Sequence, residues 1–226
     1  MDHEYLIKPI AYISNDLKTK FGVPRQSGLA KELISKIIFE PEYRIADALR
    51  GITDFSHLWL IWGFSEARRE SWSPTVRPPR LGGNERVGVF ATRSPFRPNS
   101  LALSCVKLER IEQDAELGNI LVVSGADLMN GTPIYDIKPY LPYADSVPEA
   151  SGGFAPDGGK TLSVQYAEGS LSALSSEQRT ALIELLERDP RPQYHSDPDR
   201  VYGMEYGDFE VKFRVDGKVL YLLSVE

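Results

Sequence analysis

The sequence is poor in the residues that build metal and redox sites. Its 226 residues include one cysteine, Cys105, and three histidines, His3, His57 and His195. A single thiol forms no internal disulfide, and the spacing offers no zinc ligand set. No apolar run approaches the ~20 residues that cross a bilayer. The start, Met1-Asp2-His3-Glu4, lacks the basic stretch and apolar core of a secretory leader. These absences predict a cytoplasmic protein with no membrane span and no bound metal. An excess of positive charge is also missing, the formal balance being −6. What is present, 42% hydrophobic and 26% charged residues, is the composition of a folded globular chain and excludes disordered or fibrous classes.

A negative total argues against a phosphate-rich partner until the charges are placed along the chain. Residues 1–140 hold 18 Lys and Arg against 17 Asp and Glu, whereas residues 141–226 hold 8 against 15. The acidity belongs to the C-terminal part. Between Arg68 and Arg97 stand seven arginines (68, 69, 77, 80, 86, 93 and 97) and two acids, Glu70 and Glu85. A run of lysines would read as a solvated face. Arginines interleaved with Pro, Gly and Phe suit planar recognition of carboxylate or phosphate, and Arg77, Arg80 and Arg86 are the expected RNA-facing group.

Hydrophobic patterning predicts strands at Tyr5–Ile13, Leu33–Phe39, His57–Phe64, Val87–Arg93, Leu101–Ile111 and Asn119–Val123, with a turn at Asn130-Gly131. Glu42–Gly51 reads as a short helix stopped by glycine, and the apolar run within His57–Phe64 as a buried strand. Many short strands with one short helix mean an all-β sheet or barrel. Residues 144–160, rich in Gly and Pro, read as a linker. Beyond it, Ser175–Arg188 is an amphipathic helix stopped by Pro190, and Phe209–Val215, Asp216-Gly217 and Lys218–Val225 form a hairpin. The expected organisation is a mainly β chain: an N-terminal domain over 1–145, a linker at 146–160, and a small α+β C-terminal domain over 161–226.

Several familiar chemistries fail. No G-x-G-x-x-G occurs, which removes the usual dinucleotide loop and the similar loop of Rossmann-like methyltransferases. Gly153–Thr161 ends in Gly-Lys-Thr, but five residues separate Gly153 from Gly159 where a phosphate cradle needs four. No G-x-S-x-G elbow is present, and a thiol nucleophile would rest on Cys105 alone, a small hydrophobe in a strand.

What survives is a set of polar, irregular segments: Val23-Pro24-Arg25-Gln26, Phe55-Ser56-His57-Leu58-Trp59, Arg77-Pro78-Pro79-Arg80-Leu81-Gly82-Gly83-Asn84, Gly88 to Asn99, Asp127 to Pro133, and Asp136-Ile137-Lys138-Pro139-Tyr140. In these residues the first ~145 positions resemble the TsaA-like, TrmO-type family of S-adenosylmethionine-dependent tRNA methyltransferases. Asp189-Pro190-Arg191-Pro192 and the strands after it resemble the C-terminal part of its bacterial members. The resemblance implies a small β-barrel in place of a Rossmann-like core, and a homodimer with S-adenosylmethionine near the subunit interface. It implies methyl transfer to N6 of threonylcarbamoyladenosine at position 37 of threonine tRNAs. Carried across by motif, the cofactor contacts are Pro24, Arg25, Gln26, Ser65, Glu66, Arg93, Leu103, Gly125, Ala126, Asp127 and Leu128. Ser65 and Glu66 follow only from their distance after the His57-Leu58-Trp59 strand.

Methyl transfer from a sulfonium is an in-line displacement that needs alignment more than charge stabilisation. The acceptor nitrogen, delocalised into its carbamoyl group, must lose a proton, so a base or a carbonyl-polarising group is useful. Asp136, Lys138 and Tyr140 alternate along an extended segment and share one face, which makes them the acceptor-side candidates. Against this stand a salt-bridge network at a strand end, and surface ion pairing for Arg25 and Arg93. Trp59, Trp62 and His57 read as packing residues. A non-catalytic RNA-binding module and an S-adenosylmethionine-sensing barrel are the competing functions.

Overall fold

The computed structural model describes residues 5–66, 71–156, 158, 161–191 and 197–226. Arg68 and Arg69 of the arginine segment, Gly159 and Lys160 of the linker, Pro192 and His195 lie outside the described residues. Among the described residues twelve strands run in chain order: β1 Ala11–Ser14, β2 Ile34–Phe39, β3 His57–Gly63, β4 Thr75–Val76, β5 Val87–Gly88, β6 Leu101–Asp114, β7 Gly118–Ser124, β8 Pro133–Pro139, β9 Ser163–Gln165, β10 Tyr202–Tyr206, β11 Phe209–Asp216 and β12 Val219–Val225. The α-helices are α1, Pro142–Asp145, and α2, Ser176–Glu187. Among the described residues no helix is long and apolar enough to cross a membrane.

Six strands pair in the order β1-β2-β7-β6-β3-β8, and β8 pairs back onto β1, so the sheet closes on itself. Its interior is apolar: Ile13, Ile37, Leu58, Leu60, Leu121, Leu128 and Ile134 are at most 1% exposed. The β3 sequence is apolar at every position except His57, yet burial alternates along it, with Leu58, Leu60 and Trp62 inward and Trp59 and Ile61 on the outer face. The expected buried strand is thus buried chiefly on one face, because a closed sheet covers its inner face alone.

Three other expectations give way to local chemistry. Only Ala11–Ser14 of the first segment joins the sheet. Tyr5 and Leu6 stay exposed upstream of Pro9, whose ring removes a ladder donor. The expected helix at Glu42–Gly51 is two separate 3-10 turns, Pro41–Tyr43 and Ala46–Leu49, because Ile45 between them is extended and neither turn has a side-chain cap. Val87–Arg93 is strand only at Val87–Gly88. The chain then bends into a 3-10 turn at Val89–Ala91, whose Val89 carbonyl accepts from Thr92 Oγ1 and Arg97 Nη2.

The C-terminal sheet has the order β10-β11-β12-β9, with β9 parallel to β12. The helix and hairpin stand where the sequence puts them, and Ser175 caps α2 through a reciprocal pair with Gln178. The other two strands are additions. For β10 the signal was present, since Tyr202, Met204 and Tyr206 alternate as buried positions with Gly203 and Glu205. The apolar core under this sheet also contains Leu17, Ala30 and Leu33, from the long β1–β2 connection. That connection, residues 15–33, is therefore clamped between the two sheets.

Candidate functional site

The site forms where the β1–β2 connection meets the free edge of β6. β6 has 14 residues and β7 has 7, and their pairing begins at Lys107↔Ser124. The first part of β6 thus has an edge without β7. Ser27 Oγ accepts the Cys105 N–H at 3.2 Å, and Gly28 N–H donates to Gly125 O at 2.8 Å, laying residues 27–28 against that edge. Gly125 has φ +78°, and a Cβ there would stand 3.5 Å from Gly28 Cα and N. Backbone strain rather than space is what favours glycine at this position.

The rest of the connection is held by the closed sheet on one side and by α2 and the β10–β11 turn on the other. Asn15 Nδ2 donates to Leu128 O at 2.9 Å, and Asn130 N–H to Leu17 O at 2.8 Å. From the C-terminal side, Glu184 Oε2 accepts the Glu32 N–H at 2.8 Å, Arg188 Nε donates to Leu29 O at 3.1 Å, and Gly207 N–H donates to Asp16 O at 2.8 Å. Pro24, Arg25 and Gln26 ride on this braced segment, with Pro24 itself buried.

Arg93, Gln26 and Asp127 come together from three distant stretches of sequence. Arg93 Nη1 donates to Gln26 Oε1, and Gln26 Nε2 donates to Arg25 O. The Arg93 charge reaches the Asp127 carboxyl. Arg25 Nη2 donates to the carbonyls of Asp189 and Arg191 at 3.4 and 3.2 Å. Partial burial pulls the Arg25 guanidinium below its ordinary value, Asp189 opposes this, and Arg80 adds to it. Arg80 therefore lies in the field of this cluster rather than only with Arg77 and Arg86. Ala126 and Leu128 pack into the closed core and are 0% exposed as whole residues, so along Gly125–Leu128 it is Asp127 that is partly exposed.

Behind Asp127 stands a chain of hydrogen bonds absent from the sequence reading. Trp62 Nε1 donates to Ser104 Oγ at 2.8 Å, and Ser104 Oγ donates to Asp127 Oδ1 at 2.5 Å. Burial is the main influence on Asp127 and pushes its carboxyl up, against the Ser104 hydrogen bond, a backbone N–H and Arg93. The sequence signal for Ser104 was a hydroxyl inside the apolar run Leu101–Val106 that opens β6, and the residue is 1% exposed.

Leu103, Ser65 and Glu66 are placed differently. Leu103 is half exposed on the outer face of β6, the face opposite Ser104, and lies across from Ile61. Ser65 and Glu66 are exposed just past the end of β3, tied to the β1–β2 connection by Lys20 Nζ donating to Glu66 O at 2.9 Å.

Asp136 and Lys138 share the outer face of β8, opposite Ile61 and Trp59 on β3. Their ion pair spans 3.0 Å with both side chains largely exposed. Tyr140 N–H donates to His57 O at 2.9 Å, and its ring lies 5.7 Å from that of Trp59. Trp59 Nε1 in turn donates to Asp145 Oδ2 at 3.0 Å. The order Leu103–Ile61–Asp136 across β6, β3 and β8 puts the acceptor candidates about 10 Å from Leu103 along one face. Cys105 lies on the same face. Burial first and Asp145 second push its thiol up, which keeps it protonated.

Comparison with known proteins bears on both halves of the chain. The model of the tRNA-methyltransferase O N-terminal domain matches residues 12–146, and that of the TrmO C-terminal domain matches residues 159–226. The tRNA (adenine(37)-N6)-methyltransferase of Escherichia coli K12 is 42% identical over 231 residues, covering 98% of each chain. The enzyme of the same name from Eikenella corrodens is 49% identical over 163 residues, 72% of this chain and 92% of its own. The crystal structure of TrmO from Pseudomonas aeruginosa superposes with a TM-score of 0.80 at 31% identity, covering 99% of this chain and all of that one.

Proposed function

The chain belongs to the tRNA-methyltransferase O family, and from that membership we propose how its residues carry out the reaction. It is an S-adenosylmethionine-dependent tRNA methyltransferase acting on N6 of adenine 37. The substrate in this reading is the threonylcarbamoyl-modified adenosine of threonine tRNAs, and the working form is a cytoplasmic homodimer with the cofactor near the subunit interface. Residues 1–145 form the catalytic barrel domain and 161–226 a small α+β domain joined through 146–160.

The observation that carries the cofactor assignment is the convergence of Arg93, Gln26 and Asp127 beside the Gly28–Gly125 backbone contact. Two guanidinium groups and one carboxyl in one cluster suit a ligand that is both a zwitterion and a sulfonium. Arg25 and Arg93 would hold its carboxylate, Gln26 and Asp127 its polar edges, and the buried Gly125, Ala126 and Leu128 would form the wall behind it. Leu103 would cover an apolar face, and Ser65 and Glu66 would border the site. When bound, S-adenosylmethionine supplies an electrophilic methyl group on a sulfonium.

The rest is alignment and proton handling by the chain. The braced β1–β2 connection fixes Arg25 and Gln26 without cost at the moment of reaction. On the acceptor side Asp136 Oδ2 takes the N6 proton, Lys138 Nζ moves from Asp136 toward the carbamoyl oxygen, and Tyr140 orients the base. The half-exposed face between Leu103 and Asp136 is where the acceptor base would lie.

Mass spectrometry of nucleosides after incubation with S-adenosylmethionine, using tRNA with and without threonylcarbamoylation, tests the reading. A single methyl on the modified adenosine alone is expected, unaffected by a chelator. Equal methylation of unmodified adenosine 37 would overturn the substrate assignment. Loss of activity with chelator would overturn the metal-free one.

A further inference from the structure

Two large aromatic residues, Trp72 and Phe90, are exposed side by side on the arginine segment. Their ring centroids are 6.1 Å apart at an interplanar angle of 24°, with 49% and 75% of the residues exposed. Single exposed apolar residues are ordinary on a surface, but a stacked pair that leaves its faces in water is not what packing alone selects.

The backbone under the pair is tied down. Trp72 directly precedes Ser73 and Pro74 at the entrance to β4, and Phe90 follows β5, so the β4–β5 ribbon, pairing Thr75↔Gly88 and Val76↔Val87, brings them opposite one another. Ser73 N–H donates to Phe96 O at 3.2 Å, and Val89 N–H to Pro74 O at 3.0 Å. Val89 is buried at 1% exposure and anchors the turn on which Phe90 stands. Arg97 Nη2 closes that turn on the carbonyls of Val89 and Thr92 at 3.3 and 2.7 Å. Arg86 lies on the same ribbon, its Nε donating to Thr75 Oγ1 at 2.9 Å while the residue stays exposed. Residues 71–100 contain five arginines and a single acid, Glu85.

We propose that Trp72 and Phe90 form a stacking platform for one unpaired base of the tRNA anticodon loop, with Arg86 and Arg77 on the adjoining phosphates. This rests on the tRNA-methyltransferase reading and deepens it. The chemistry follows from the surroundings: aromatic faces accept any base by stacking, cationic neighbours supply phosphate contacts, and a loop exposes unstacked bases as a duplex does not. Charge complementarity to a polyanion is what favours RNA over a second protein as the occupant.

The test uses the full-length protein, an unstructured oligoribonucleotide and tRNA. Binding should quench the fluorescence of the exposed Trp72, and Trp72→Phe should remove that quenching while keeping most of the affinity. Trp72→Ala and Phe90→Ala should each weaken tRNA binding by about ten- to a hundredfold and raise KM for tRNA. The salt dependence of binding should keep its slope in these variants, whereas Arg77→Ala with Arg86→Ala should flatten it. Affinity for S-adenosylmethionine should not change. Unchanged tRNA affinity in both alanine variants would overturn the platform. So would a shift from dimer to monomer in sedimentation of Trp72→Ala, which would make the pair a protein contact. A wild-type protein that shows the quenching but methylates no tRNA would overturn the enzymatic reading and leave the platform standing.

Discussion

Ser104 donates to Asp127 at 2.5 Å from inside the closed sheet, so a carboxyl on the turn after β7 is oriented by a strand that its own strand pairs with only further along. The same hydroxyl accepts the Trp62 indole N–H at 2.8 Å, which fixes the direction of its own proton toward the carboxyl.

Replacing Ser104 by alanine should leave two buried polar groups short of a partner. The expected cost is about 1–3 kcal/mol, read from urea unfolding. It should also lift the Asp127 carboxyl further, because the Ser104 hydrogen bond is the largest influence holding it down. The pH profile of cofactor binding should move upward with it. A stability loss with an unmoved profile would make Ser104 a packing residue only.

Asp127 itself should show an inverted acid dependence. Burial raises its carboxyl above the ordinary 3.8. Its folded form therefore holds more protons than the unfolded form, and its contribution to stability is full below 3.8 and lost as pH rises through the folded value. Asp127→Asn, which cannot ionise, should gain in Tm relative to the parent as pH rises from below 3.8 to neutrality. A gap in Tm that does not change over that range would contradict the assignment.

Helix α2 of the C-terminal part should govern cofactor binding without touching the cofactor. Glu184→Ala with Arg188→Ala removes the bonds to Glu32 N–H and Leu29 O, each worth about 1 kcal/mol. Amide exchange over Gly28–Leu33 should quicken and affinity for S-adenosylmethionine should fall, while exchange in β3 and β7 stays slow. Unchanged exchange in the connection would show that the two α2 bonds do not hold it.

Cofactor and acceptor groups should separate by calorimetry followed by single-turnover methylation. Arg93→Ala should weaken S-adenosylmethionine binding by about ten- to a hundredfold, the value of one charge-assisted contact. Asp136→Asn, Lys138→Ala and Tyr140→Phe should lower turnover with cofactor binding retained. Joint loss of binding and thermal stability in the second group would make the Asp136–Lys138 pair structural.

The sequence by itself determined the mainly β character, the β6 and β7 strands to within a few residues, the capped α2 helix and the final hairpin. Each of these is written in local periodicity, a cap or a turn dipeptide, which act over neighbouring residues. It also supplied the motifs that carry the family resemblance. Tertiary structure alone decided the rest. Closure of the six strands made β3 one-sided and brought Trp59 and Ile61 to the surface. It also joined Trp62, Ser104 and Asp127, separated by 42 and 23 positions, into one hydrogen-bonded chain. Docking of the C-terminal sheet gave Leu17, Ala30 and Leu33 a core to enter and so fixed the segment bearing Arg25 and Gln26. Such contacts depend on which strands become neighbours, and no window of sequence contains that, because hydrogen bonding and burial act through space whereas periodicity records only what lies along the chain.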